Sequence, residues 1–125
     1  MPATALREKT DTGENIAIDW LSDASGNASV TLRLSGFCVK AKTKPSAAAA
    51  PTANYDIVIY DPQCLTLDVM RSKLLNRHET NEEQVPTTLD TDVAIAHFNG
   101  GVYTVSISNA GSAKKGTLFL EIEFP

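Results

Sequence analysis

The chain has 125 residues, 42% of them hydrophobic, and a formal charge of -4. That length supports one buried core and hardly two, so a single domain is expected. Its eleven basic residues form no dense Lys/Arg block, which argues against a nucleic-acid or anionic-membrane partner. No apolar run approaches the roughly 20 residues that span a bilayer. The opening MPATALREKTDTGEN also lacks the hydrophobic centre of a secretory signal, so a protein made in the cytosol is expected.

Residues 1–15 are polar without an apolar period and predict a flexible arm, leaving 16–125 as one domain. From Ile16 to Leu21 the sequence alternates, with Ile16, Ile18 and Trp20 on one face and Ala17, Asp19 and Leu21 on the other, the period of a half-buried strand. Asp23, Gly26 and Asn27 predict the turn that follows. Val30, Leu32 and Leu34 against Thr31 and Arg33 predict a second strand. Ser35 and Gly36 interrupt it as a bulge or a bend, and Phe37, Val39 and Ala41 resume against Lys40 and Lys42. One bent strand or two separate strands both satisfy that pattern.

The run PSAAAAP, Pro45 to Pro51, reads as an exposed connection inside one domain, since its prolines cannot continue a sheet interior. YDIVIYD is apolar on both faces, Ile57 and Ile59 against Val58 and Tyr60, and predicts a strand covered on both sides. Leu67, Met70 and Leu74 repeat at helical spacing and predict one short helix. A polar loop through His78, Glu79, Glu82, Glu83 and Pro86 follows. DVAIAHF and VYTVSIS flank Asn99-Gly100-Gly101, a β-hairpin signal. After the turn NAGSAKKG, Leu118, Leu120, Ile122 and Phe124 alternate inward against Thr117, Phe119, Glu121 and Glu123. Together these elements predict an all-β fold, an antiparallel β-sandwich or jelly-roll-like barrel with a flexible N-terminal arm and at most one short helix.

Chemistry-bearing residues are sparse. His78, Glu79, Glu82 and Glu83 fit no rigid metal-ligand set and read as a solvated loop. Asp90 and Asp92 lack the further oxygens and turn glycine of a calcium loop. His97 reads as a hydrogen-bonded residue at a strand end, and Cys38 and Cys64 as buried free thiols. The Asn27-Ala28-Ser29 acceptor carries no meaning without a secretion signal. No Ser or Cys sits in a nucleophile elbow and no glycine run precedes a helix, so no enzyme, cofactor or metal is expected. The candidate partner interface is Trp20, Val58, Tyr60 and Phe119, with Trp20 inward by its own period. A carbohydrate-binding sandwich would need Trp20, Tyr55, Tyr60 and Tyr103 gathered on the surface.

The segments WLSDASGNASVTLRLSGFCVKAKTKP, PTANYDIVIYD, LLNRHET and FNGGVYTVSISNAGSAKKGTLFLEIEF together resemble a group of small tailed-bacteriophage virion proteins encoded among head genes. The resemblance covers most of the chain from Trp20 onward and departs from the group at DPQCLTLDVM, where a glycine-containing acidic turn is the group's pattern. It implies a capsid decoration, or cement, protein that binds the major capsid protein and other copies of itself on the virion surface. A neck, tail or fibre-associated adaptor is the second reading, and the carbohydrate-binding module the third.

Overall fold

The computed structural model describes residues 3–63, 67–71, 73–85 and 96–124. Within them the fold is all-β: β1 (Ala3–Lys9), β2 (Gly13–Leu21), β3 (Ala28–Pro45), β4 (Asp56–Tyr60), β5 (Glu83–Val85), β6 (His97–Ser108) and β7 (Lys115–Glu123). They form one antiparallel, unclosed sheet in the order β1-β2-β7-β3-β6-β4, with β5 also paired to β3.

The 18-residue β3 turns this single sheet into two facing layers. Its first half, Ala28 to Phe37, pairs with β6, and its second half, Phe37 to Pro45, pairs with β7. One layer is therefore β4, β6 and the start of β3, and the other is the end of β3 with β7, β2 and β1 on one side and the short β5 on the other. Their inner faces share one core that includes Ile16, Ile18, Trp20, Leu34, Ile57, Ile59, Val105, Ile107, Leu118, Leu120 and Ile122. Each such aliphatic side chain contributes about 1.5–3 kcal/mol by leaving water. The Trp20 and Tyr55 rings meet across the layers at 5.5 Å.

Alternation in β2 and β7 is as the sequence predicts, except that Phe124 lies beyond β7 and is exposed under the Lys9 ammonium. In β3 the interruption at Ser35 and Gly36 belongs to one bent strand. The register against β6 shifts between Arg33 and Ser35, and that against β7 shifts between Cys38 and Lys40. The second shift resets the inward phase, so Cys38, Ala41 and Thr43 enter the core while Phe37 and Val39 stay half-buried. Cys38 is a buried free thiol; Cys64, Asp90 and Asp92 lie outside the described residues.

Three expectations are corrected. Residues 3–9 are a strand in antiparallel register with β2, not a flexible arm, and Gly13 already begins β2. The Arg7 guanidinium fastens this hairpin: it pairs with the nearly buried Glu14 carboxylate and donates to the Arg33 carbonyl at 2.7 Å.

Asn99-Gly100-Gly101 is not a hairpin tip. Gly100 (φ 88°) takes up an extra residue opposite β3, and β6 runs straight through. A glycine at positive φ serves a bulge as well as a turn. Here the bulge is closed by Asn99 Oδ1, which accepts from the Gly101 N–H at 2.9 Å, and by the Tyr103 hydroxyl, which accepts from the Asn99 N–H at 3.0 Å.

The helix expected around Met70 is absent from the described residues; the chain there runs in turns along the free edge of β4. Ile57 N–H donates to Leu74 O at 3.0 Å, Val69 N–H to Ile59 O at 2.9 Å and Arg77 N–H to Tyr55 O at 2.7 Å. Asp68 Oδ1 accepts from the Met70 N–H at 2.9 Å, starting an Asx turn that competes with helix. Met70 and Leu74 are buried as their spacing suggests, but Leu67 is exposed.

The alanine run is a connection within the fold, pinned to the 110–116 turn. Ser46 N–H donates to Lys115 O at 3.1 Å, Lys115 N–H to Ala49 O at 2.8 Å and Thr52 N–H to Ala110 O at 2.9 Å.

Candidate functional site

The outer face of the β1-β2-β7-β3 layer is a regular lattice whose rows follow from strand register. The middle row is Leu6, Ala17, Phe119 and Lys42. On one side of it lie Thr4, Asp19, Thr117 and Lys44; on the other, Glu8, Asn15, Glu121 and Lys40. Side chains alternate across a strand, so all twelve point the same way, away from the core.

An apolar stripe thus runs between two polar rows. Leu6 is 73% exposed and Phe119 36%. Phe119 forms a ridge between two grooves of about 390 and 550 Å³, with Ala17 lining both. Lys42 covers one side of the ridge, its ammonium 5.8 Å from the ring centre and 2.8 Å from the Glu82 carboxylate. That hydrogen bond holds the Glu82 carboxyl below the usual range. Lys40 reaches Glu121 at 3.7 Å, and the Thr117 hydroxyl donates to Asp19 at 2.6 Å.

Of the four residues proposed from sequence, only Phe119 lies on this face. Trp20 is corrected: at 2% exposure it belongs to the core, because its register places it beside Gly116, where the missing side chain makes room for the indole. Val58 and Tyr60 are half-buried on the outer face of the other layer. Their cross-strand neighbours there are Ser106 with Ser29 and Thr104 with Thr31, so the second apolar face of β4 is two side chains wide amid hydroxyls.

The polar loop is organised locally. His78 Nδ1 accepts from the Thr80 and Asn81 N–H groups at 3.1 and 3.0 Å, and Glu83 accepts from the His78 N–H at 2.7 Å while lying 3.6 Å from Arg77. His97 stacks on Phe37 with ring centres 4.4 Å apart. Among the described residues no group of three His, Cys, Asp or Glu is arranged to hold a metal.

Burial pushes the Cys38 thiol up to about 12, against a weak bond to the Lys40 carbonyl, so it is poorly suited to nucleophilic work. The Tyr55 phenol is also raised by burial. The Thr43 hydroxyl beside it, short of hydrogen-bond geometry, acts in the opposite sense. With Trp20, Tyr55 and Tyr103 all buried, these residues supply no aromatic platform for a sugar.

No family model, curated protein or solved structure matches the chain. The outer face thus combines an exposed apolar stripe with flanking rows of both charge signs on paired strands. Leu6 was missed because β1 shows no apolar alternation; a strand exposed on both faces leaves no such signal.

Proposed function

We propose that this chain is a virion structural protein of a tailed bacteriophage, a decoration protein that binds the shell of the major capsid protein. Binding rather than catalysis is its mode of action. The observation that carries the reading is a bent sheet with two outer faces, the exposed Leu6–Ala17–Phe119 stripe on one and Val58 with Tyr60 on the other, so that one copy can meet a neighbouring copy and the shell at once. Repetition over a symmetric shell multiplies a modest contact through effective concentration.

The segments that carry the sequence resemblance also meet in space. Asn109 donates to Asp56 Oδ2 at 2.7 Å, and the Thr52 hydroxyl donates to the Asn109 carbonyl, so PTANYD and SNAG together fasten one end of the sandwich. These residues act in the reading as framework, and the outer faces as contact surface.

The experiment is cosedimentation of the purified chain with capsid shells that lack it. Saturable binding at hundreds of copies per shell is expected. Saturation at about a dozen copies would favour the neck or tail adaptor, and no binding at saturating concentration would remove the capsid reading.

A further inference from the structure

We propose that the outer face of the β1-β2-β7-β3 layer binds a second copy of this chain, face to face, about a two-fold axis parallel to the strands between β2 and β7. Such an axis exchanges β1 with β3 and β2 with β7 while keeping each row level with itself. Register then fixes every partner. Phe119 meets Ala17 of the second copy, ridge against the small side chain that lines both grooves. Lys40 meets Glu8, Asn15 meets Glu121, and Asp19 meets Thr117. Lys44 meets Thr4, and the Lys42 stem lies on Leu6, its ammonium already held by Glu82. No like charges oppose each other.

The alternative two-fold axis, perpendicular to the strands, keeps each strand over its own copy. It sets Lys40 against Lys44 in both directions along β3. The lysine column on β3 and the acidic side chain on β1 therefore select the first axis, because like charges facing across an interface cost affinity while opposite charges fix orientation. Face-to-face sheets pack within about 30° of parallel. The long Lys40 and Glu8 side chains at the corners absorb that rotation.

Four strands about 4.8 Å apart and three outward rows about 6.8 Å apart make a face roughly 20 Å on a side. Two such faces bury on the order of 800–1,000 Å² in all, near the lower limit for a specific complex. The dimer is accordingly concentration-dependent, mostly monomer near ~1 µM and mostly dimer near ~100 µM.

Sedimentation of the full chain across that range tests the proposal without any shell present, so its outcome is independent of the decoration reading. Lys40→Glu and Glu8→Lys each place two like-charge contacts in a dimer of identical copies, and each variant alone is expected to dimerise at least about tenfold more weakly. Mixed in equal amounts they restore both contacts with opposite signs, and the mixture is expected to recover dimer to within about threefold of the unsubstituted chain. Phe119→Asp abolishes the dimer in all mixtures. Circular dichroism verifies that these exposed substitutions leave the fold intact. A monomer at ~100 µM, a dimer indifferent to Phe119→Asp, or a mixture no tighter than its parts would each overturn the proposal.

Discussion

At the residue scale, two glycines at positive φ separate conformational strain from steric exclusion. A Cβ on Gly100 would meet nothing within 4 Å, so Gly100→Ala tests its φ of 88° alone and is expected to cost about 1–2 kcal/mol. A Cβ on Gly36 would lie 2.6 Å from the Glu123 carbonyl oxygen at a φ of 103°, adding a backbone clash at the corner where β3 passes between layers. Gly36→Ala should cost more than about 3 kcal/mol, and urea midpoints of the two variants give the order. Equal midpoints would place no special demand on the corner.

Cys38 yields a pH prediction with a definite sign. Its thiol is raised from 9.0 to about 12, so the unfolded chain ionises first and stability falls as pH rises through that window. Below pH 9 the contribution is fully present. Cys38→Ala should therefore flatten the alkaline loss of stability by up to about 1.4 kcal/mol per pH unit. Tyr55, also raised, leaves a remainder of the same sign. Urea unfolding at stepped pH from 9 to 11 measures the difference between the two chains.

At the element scale, β1 depends on few apolar contacts and on one ionic fastening. Arg7→Ala strands the Glu14 carboxylate, which is 5% exposed, and releases the Arg33 carbonyl. The cost is expected at about 1–3 kcal/mol, moderated by water because Arg7 itself is partly open. Hydrogen exchange should then rise first in the amides of β1 and the facing half of β2. Removing residues 1–12 should go further, exposing the β2 edge and promoting association through it.

β1 also carries no period in its sequence. β2 and β7 were legible because one face of each is buried and the other wet, which imprints a two-residue period. β1 lacks that imprint, since even Ala5 on its core-side face is exposed. The Asn99-Gly100-Gly101 signal reported a real positive φ but not whether it turns the chain or bulges it, because that depends on β3, some sixty residues away in sequence. Met70 and Leu74 were legible as core, and the turn around Asp68 overrode their helical spacing. On the candidate surface, Phe119 was legible from its neighbours Glu121 and Glu123. Its stripe with Leu6 and Ala17 emerged only from register.

At the scale of the whole molecule, a single sheet bent at β3 leaves two outer faces of different character. One carries the apolar stripe with lysines along one side; the other is rich in hydroxyls around Val58 and Tyr60. If the first face joins two copies, the second remains turned outward on both, which suits a dimer clamped across a junction of shell subunits. In that arrangement, Tyr60→Asp should weaken shell binding while leaving self-association unchanged, and Phe119→Asp should weaken both through lost bivalency. A decoration role on the virion is tested by the abundance of this chain relative to the major capsid protein in purified particles, measured by quantitative mass spectrometry. Hundreds of copies per particle are expected; absence of the chain from particles would contradict a decoration role.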